Sequence, residues 1–269
     1  MVKKLLKHEF AYYYRTFGLF LPIVLVIGIM TRVVQLFDNG QDINDIIIAS
    51  SEFMLSISCT ALLILAAVIG VVRFYKNMYS AEGYLTFTLP VTNGAHIFVK
   101  LVAAVSFQAV CLVVILLANT IANLGPEMLA FWEDFFRGFA DLSAKEIFDI
   151  IFLCLEFLLA VVAAAAVHML LYYACITIGQ TAKKNRIIKA ILAYFIWYII
   201  TQAVATTAMI VLMVLSGTGA LDSLMEWFSE DLMRTLHTLL WFGIGFSGVL
   251  GGVFWYVTQK IMTEKLNLE

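Results

Sequence analysis

Six long apolar stretches dominate this chain. They cover residues 17–37, 53–72, 96–124, 147–178, 187–215 and 236–257. Each supplies the roughly 20 apolar residues that a helix needs to cross a hydrocarbon core about 30 Å thick. A chain that is 62% hydrophobic and only 13% charged cannot hide this apolar surface in one soluble core. The sequence therefore predicts an all-α integral membrane protein with six transmembrane helices.

The charged residues divide by side of the membrane. The N-terminal segment, the loops after the second and fourth stretches, and the C-terminal tail hold most of the basic residues: Lys3, Lys4, Lys7, Arg15, Arg73, Lys76, Lys100, Lys183, Lys184, Arg186, Lys189, Lys260 and Lys265. The alternate loops and their edges are acidic: Asp38, Asp42, Asp45, Glu52, Glu127, Glu133, Asp134, Asp141, Glu146, Asp149, Asp222, Glu226, Glu230 and Asp231. Because cytoplasmic loops carry the excess of Lys and Arg, both termini are predicted to be cytoplasmic. This indicates a multi-pass protein of a cell membrane, such as a bacterial plasma membrane, and gives no sign of nucleic-acid binding.

The N-terminal segment, residues 1–16, has an amphipathic pattern. Apolar residues recur at roughly helical spacing among the lysines: Leu5, Leu6, Phe10 and Tyr13. This pattern predicts a helix lying at the membrane interface. The alternative is a basic flank that only satisfies the charge rule. Pro22, early in the first stretch, is expected to kink that span without breaking it.

Two acidic outer segments, 125–146 and 216–235, are also amphipathic. The first repeats apolar residues every three or four positions: Met128, Phe131, Trp132, Phe135, Phe136 and Phe139. The second does so more weakly: Leu221, Leu224, Met225, Phe228 and Leu232. Both are predicted to be helices. They either lie on the outer leaflet or pack as a cap over the outer helix ends.

Motifs for catalysis or metal binding are missing from the sequence. No Gly-rich loop ends in Gly-Lys-Ser or Gly-Lys-Thr, so the chain has no P-loop nucleotide site. The histidines lack the i, i+4 spacing of a zinc-protease helix, and no metal site is predicted. The cysteines lie inside the spans, where they act as small apolar residues rather than a disulfide framework: Cys59, Cys111, Cys154 and Cys175. The chain is therefore not expected to be an enzyme.

Glu156 lies several turns inside the fourth stretch. An ionisable residue in a span is costly and marks a functional site by default. His168 is twelve positions away, about 120° around the helix, which argues poorly for a shared catalytic site. The predicted partner of Glu156 is Arg32 in the first stretch. The pair is either functional or an ion pair that fixes helix packing.

Small and polar residues mark particular helix faces. Ser56 and Thr60 are four apart in the second stretch, as are Gln202 and Thr206 in the fifth. Each pair lies on one face, where it either hydrogen-bonds between helices or lines a path for a polar or amphipathic substrate. In the last stretch small residues also recur every four positions, which is more typical of helix packing within one subunit than of a dimer seam: Gly243, Ser247, Gly248, Gly251 and Gly252.

The most patterned segment is the cytoplasmic loop between the second and third stretches. Residues 73–101 read RFYKNMYSAEGYLTFTLPVTNGAHIFVKL. Pro90 disfavours helical geometry at Leu89, and Thr92 or Asn93 can cap the next helix. Two short helical pieces meeting at an elbow are therefore predicted. An elbow with an acid, a glycine and aromatic residues suits docking to a soluble partner, whereas the alternative is a loop folded back on its own helix ends.

This loop resembles that of the permease subunits of type-2 ABC exporters. In that family the loop between the second and third helices commonly has an acid and Gly, an apolar run, and then Pro-Val-Ser or Pro-Val-Thr. The matching residues here are Glu82, Gly83, Leu85, Leu89, Pro90, Val91, Thr92 and Lys100. The resemblance extends to the layout of residues 1–269 as a single transmembrane domain, although only the loop is motif-like.

The resemblance implies that residues 73–100 are a coupling loop that contacts a separate ATPase subunit. The contact residues it implies are Lys76, Glu82, Gly83, Leu89, Pro90 and Thr92. ATP and magnesium would bind to that ATPase, with no cofactor in this chain. A second permease subunit, identical or related, would complete a path lined by the two polar faces. The rival hypothesis is a non-transporting immunity or sensor subunit that recruits a cytoplasmic partner through the same loop.

Overall fold

The computed structural model describes residues 2–37, 42–80, 91–140 and 142–264, together with Gly83 and Thr88. Almost all of these residues are helical, and none of them lies in a strand. The helices are α1 (Val2–Phe17), α2 (Phe20–Leu36), α3 (Asp42–Tyr79), α4 (Asn93–Ala122), α5 (Pro126–Ala140), α6 (Ala144–Gln180), α7 (Arg186–Gly217), α8 (Asp222–Glu230) and α9 (Leu232–Glu264). The prediction of an all-α chain is confirmed.

Five helices, α3, α4, α6, α7 and α9, are long and apolar enough to cross a membrane. The bent pair of α1 and α2 makes a sixth candidate if it is counted as one span. The chain is thus a multi-pass membrane protein by helix length and composition. Helix α3, with 38 residues, is about 57 Å long at a rise of 1.5 Å per residue. It extends well past its apolar stretch, because a helix continues through polar residues once it leaves the hydrocarbon.

The bend between α1 and α2 lies at Gly18 and Leu19 and amounts to 43°. The Gly18 amide donates to the Tyr14 carbonyl at 2.8 Å. A Cβ atom on Gly18 would lie 2.8 Å from the same oxygen, so a larger residue does not fit. Pro22 lies in the first turn of α2, where its missing N–H costs no helical hydrogen bond. Gly18, rather than the expected Pro22, therefore sets the bend.

The described helices form two compact units. Helices α1, α2, α4 and α5 and the part of α3 up to Phe74 form the first unit. A Cβ on Gly28 of α2 would lie 2.7 Å from the Ala118 carbonyl of α4, so these two helices pack backbone to backbone. Tyr13 and Phe17 of α1 stack on Phe107 of α4, with ring centroids 5.3 and 4.4 Å apart.

The end of α3 from Tyr75 and the helices from α6 to α9 form the second unit. A Cβ on Gly179 of α6 would lie 2.6 Å from the Arg186 carbonyl of α7. Gly251 of α9 lies against α6, since a Cβ there would be 3.4 Å from a methyl of Val167. A Cβ on the other glycines of the predicted packing stripe meets no described atom within 4 Å: Gly243, Gly248 and Gly252. The predicted packing within the chain holds for Gly251 and has no support for the other three among the described residues.

The acidic segments contain helices α5 and α8. No residue of α5 is buried, and its aromatic residues are open to their surroundings. Helix α8 is tied to α9, because Arg234 donates to the Trp227 carbonyl at 2.7 Å and its guanidinium lies 4.3 Å from the centre of the Trp227 ring. The Thr235 hydroxyl donates to the Phe228 carbonyl at 2.9 Å. The position of both helices on the outer side of the membrane stays a prediction.

Candidate functional site

The coupling-loop segment leaves α3 after Tyr79 and enters α4 at Asn93. Lys76 lies in the last turn of α3. Thr92 caps α4, because its hydroxyl accepts from the Ala95 amide at 3.4 Å, and this confirms the predicted cap. A Cβ on Gly83 would lie 2.7 Å from the Met78 carbonyl, so this position requires glycine. The remaining motif residues lie outside the described residues: Glu82, Leu85, Leu89 and Pro90.

A buried charge cluster, formed by Glu9, Arg73 and Lys100, joins the two helix ends of this loop. Glu9 of α1 accepts from Nζ of Lys100 on α4 at 2.9 Å and from Nε of Arg73 on α3 at 3.1 Å. The Glu9 and Lys100 side chains are 5% and 3% exposed, and that of Arg73 is 18% exposed. The Arg73 guanidinium also lies 3.9 Å from the centre of the Tyr12 ring.

The electrostatics of this charge cluster favour ionised Glu9. Burial raises the pKa of Glu9, but the charges and hydrogen bonds of Lys100 and Arg73 outweigh it and hold the pKa below its ordinary value. Removing one partner of such a buried pair typically costs about 3 to 5 kcal/mol, because it leaves the other charge uncompensated. The charge cluster therefore fixes α1 against the end of α3 and the start of α4.

His96 lies one turn before Lys100 on α4 and is 1% exposed. Neither of its ring nitrogens has a hydrogen-bond partner within the part of the chain that the structure describes. A buried polar group without a partner is destabilising. His96 is thus a weak point in the packing beside the charge cluster.

Tyr79 gives the end of α3 a second polar anchor. Its hydroxyl lies 2.7 Å from that of Thr177 on α6, and Thr177 is fully buried. Because the Thr177 hydroxyl donates to the Tyr173 carbonyl at 2.7 Å, Tyr79 is the donor to Thr177. Helix α3 is thus held in the first unit through Arg73 and in the second unit through Tyr79.

Glu156 of α6 is buried and accepts two hydrogen bonds from α9. Nδ1 of His237 and Nε1 of Trp241 each lie 2.5 Å from one of its carboxylate oxygens. Arg32, in the first unit, donates to the Gln35 side chain at 3.3 Å. The predicted pairing of Arg32 with Glu156 stays a prediction.

The contacts of Glu156 were missed by the sequence reasoning. The available signal was the i, i+4 spacing of His237 and Trp241, which places both on one face of α9. Glu156 lies 24 residues before Gln180, about 36 Å along α6. If α6 ends in the cytoplasm as predicted, Glu156 lies near the outer surface rather than at the middle of the membrane.

The four predicted path residues lie on exposed helix faces. The hydroxyls of Ser56 and Thr60 donate to carbonyls of their own helix, at 3.0 and 2.9 Å. Gln202 donates to the Tyr198 hydroxyl one turn earlier on α7 at 3.4 Å. None of these three side chains, nor that of Thr206, hydrogen-bonds to another helix among the described residues. The alternative interpretation, that these side chains hydrogen-bond to another helix, therefore has no support among the described residues of either unit.

Each of the two units contains a cavity between three helices. A polar cleft of about 210 Å³ lies between α2, α3 and α4 in the first unit, lined by Thr31, Gln35, Glu52, Leu55, Ser56, Asn119, Ala122 and Asn123. An apolar cavity of about 460 Å³ lies between α6, α7 and α9 in the second unit. His168 and Thr201 are among its lining residues. The predicted path residue Ser56 thus borders the polar cleft.

Comparisons with protein-family models, with curated proteins and with solved structures find no match. Across the described residues, no group of three or more His, Cys, Asp or Glu side chains is suited to hold a metal ion.

Proposed function

We propose that this chain is the membrane-spanning permease subunit of an ATP-driven exporter of the type-2 ABC class. In this proposal α2, α3, α4, α6, α7 and α9 cross a bacterial cell membrane, with both termini in the cytoplasm. Helix α1 lies at the inner interface, and α5 and α8 lie on the outer side. The observation that carries the proposal is the buried charge cluster at the base of the loop with the family-like motif.

Coupling by a loop requires that its two ends be stiff. Arg73 on the helix entering the loop and Lys100 on the helix leaving it bind the same Glu9 carboxylate. A displacement of the loop therefore moves α1, α3 and α4 together, because the helix ends cannot move independently of one another. The hydrogen bond from Tyr79 to Thr177 extends this linkage to α6.

The chain itself makes and breaks no bonds in this mechanism. ATP and magnesium bind to a separate ATPase subunit, whose closure drives the inner loops of two permease subunits. The equilibrium between inward-open and outward-open arrangements then shifts. The size of the shift is set by how much more tightly the ATPase binds one arrangement than the other. Exposed polar side chains are costly against lipid, which supports a path along the faces of Ser56, Thr60, Gln202 and Thr206.

The test is to co-express the chain with any P-loop ATPase that a neighbouring reading frame encodes and to measure ATP turnover of the purified complex in nanodiscs. We expect turnover to change when the ATPase assembles with the permease. Glu82→Ala and Pro90→Ala should abolish that change without loss of membrane insertion. The outer variant Glu127→Ala is the matched control and should keep the change. Failure of any ATPase to copurify, or ATP hydrolysis by this chain alone, would contradict the proposal, whereas binding with unchanged turnover would favour the recruiting subunit.

A further inference from the structure

The polar cleft between α2, α3 and α4 is held open by its own side chains. The Thr31 hydroxyl reaches the Ser51 carbonyl at 3.3 Å, which joins α2 to α3. The Gln35 amide donates to Glu52 at 3.1 Å and makes a second link between these helices. Asn119 donates to the Cys59 sulfur at 3.7 Å, which joins α4 to α3. The shape of the cleft is therefore set before any ligand binds.

Most hydrogen-bond donors of the residues that line the cleft donate to groups of the same three helices. The Asn119 amide also donates to the Ile115 carbonyl at 2.9 Å, and the Asn123 amide donates to the Asn119 carbonyl at 2.8 Å. These carbonyls fix the orientation of both amides. The Ser56 hydroxyl donates to the Glu52 carbonyl at 3.0 Å.

The cleft also contains hydrogen-bond acceptors. The second carboxylate oxygen of Glu52 and the side-chain oxygens of Asn119 and Asn123 receive no hydrogen bond from any described residue. A primary ammonium group has three N–H donors and no acceptor. The carboxylate and amide oxygens of the cleft suit this group in kind and in charge.

A positive charge lies on the other side of the Gln35 amide. Arg32 donates to the Gln35 oxygen at 3.3 Å, while the Gln35 nitrogen donates to Glu52. The Gly125 backbone lies against the Arg32 guanidinium, since a Cβ there would be 3.5 Å from it. Arginine binds phosphate oxygens well, because its N–H groups match their geometry. Arg32 does not line the cleft but lies next to it, beyond Gln35, so a phosphate on Arg32 would be a neighbour of an ammonium in the cleft.

The depth and size of the cleft agree with a lipid headgroup. Glu52 lies 21 residues before Arg73 on α3, about 32 Å along the helix and close to the thickness of a hydrocarbon core. The volume of about 210 Å³ is below the roughly 300 to 1,000 Å³ of pockets that take drug-sized ligands. The cleft therefore suits a headgroup rather than a whole lipid.

We propose that the polar cleft binds the phosphoethanolamine group, with its ammonium on Glu52, Asn119 and Asn123 and its phosphate on Arg32. The group is supplied by a phosphatidylethanolamine lipid or by a free phosphoethanolamine compound. The proposal goes beyond the export function, because binding requires no ATPase.

Native mass spectrometry of the purified full chain in detergent tests the binding. The probes are phosphatidylethanolamine, phosphatidylcholine and phosphatidylglycerol with identical acyl chains. We expect phosphatidylethanolamine to bind about tenfold more tightly than the other two, because a quaternary ammonium has no N–H donor and glycerol has no charge. Displacement of the lipid by O-phosphoethanolamine indicates headgroup recognition. Binding of O-phosphoethanolamine alone identifies the free compound as the source. Equal binding of the three lipids, with none of O-phosphoethanolamine, overturns the proposal.

Variants locate the binding in the cleft. Glu52→Gln and Arg32→Gln should each weaken binding of the preferred probe about tenfold. Glu127→Gln, a change of the same kind at an exposed acid of α5, should leave binding unaltered. Unchanged binding by Glu52→Gln overturns the assignment. If that variant is not monodisperse, the binding assay on Asn119→Ala and the comparison of the three lipids on the unsubstituted chain test the assignment instead. Because these measurements use the chain alone, their failure is independent of any failure of ATPase coupling.

Discussion

The substitution Glu9→Gln tests whether the charge cluster holds the base of the coupling-loop segment. It keeps the shape of the side chain but removes the charge that Lys100, 3% exposed, and Arg73, 18% exposed, both bind. Loss of one partner of a buried ion pair costs about 3 to 5 kcal/mol. Arg73 keeps its stacking on Tyr12 and some contact with solvent, so the lower end of that range is expected.

The assay is thermal unfolding of the purified chain in one fixed detergent. A cost of about 3 kcal/mol should lower Tm by roughly 6 to 12 °C, at about 2 to 4 °C per kcal/mol for a chain near this size. The matched control is Glu133→Gln, which breaks an ion pair with Arg137 whose side chains are 64% and 71% exposed. The control should cost less than about 1 kcal/mol. The double variant Glu9→Gln with Lys100→Met should recover about half of the loss, because it also removes the buried ammonium whose charge Glu9 compensates.

The effect of Glu9→Gln on Tm should depend on pH in one direction. The pKa of Glu9 is held below its ordinary value of 4.5, so the charge cluster contributes fully above that pH and its contribution is lost as pH falls through the lowered value. The Tm difference between the unsubstituted chain and Glu9→Gln should stay constant above that ordinary value and shrink as the pH falls below it. A single-variant cost under about 1 kcal/mol, or a difference that grows on acidification, would refute the reasoning.

Three further predictions use the same unfolding assay. Gly179→Ala should cost about 1 to 3 kcal/mol, because its Cβ would lie 2.6 Å from a carbonyl of α7; Gly248→Ala, with open space around it, should be neutral, and equal costs would contradict the packing described. Glu156→Ala should cost about 1 to 4 kcal/mol, because it removes the acceptor of two hydrogen bonds; a double-mutant cycle with His237 should show coupling of at least about 0.5 kcal/mol, and additive effects would argue against that contact. His96→Leu should leave Tm unchanged or raise it, because it replaces a buried side chain without a hydrogen-bond partner among the described residues; a marked fall would mean that His96 is hydrogen-bonded.

Local features of this fold were predictable from the sequence, since they depend on neighbouring residues. Counting the apolar runs that are long enough to cross a membrane gives the number of candidate spans. The Thr92 cap of α4 depends on a contact with a residue only three positions away. Helix ends were less predictable. The second apolar stretch begins at residue 53, but α3 begins at Asp42, because the chain stays helical through polar residues beyond the apolar run.

The buried polar contacts were not predictable from one sequence. Glu9 binds residues 64 and 91 positions away, and His237 lies 81 positions from Glu156. Sorting charges by side of the membrane says nothing about which helices meet at Glu9. Ser56 was predicted only as a path residue, and the polar cleft was not predicted, because Glu52, Asn119 and Asn123 come together only when three helices pack.

The most direct test of the central claim is photo-crosslinking from the coupling-loop segment. Thr88→Cys, at an exposed position, is labelled with a photoreactive maleimide in a background where the exposed Cys154 is replaced by Ala. We predict that the label reacts only from the cytoplasmic side. We also predict that illumination joins the chain to a P-loop ATPase with a yield that changes when ATP is added. Labelling of Cys at position 88 from the cell exterior, or illumination that yields no adduct with an ATPase, would contradict the account.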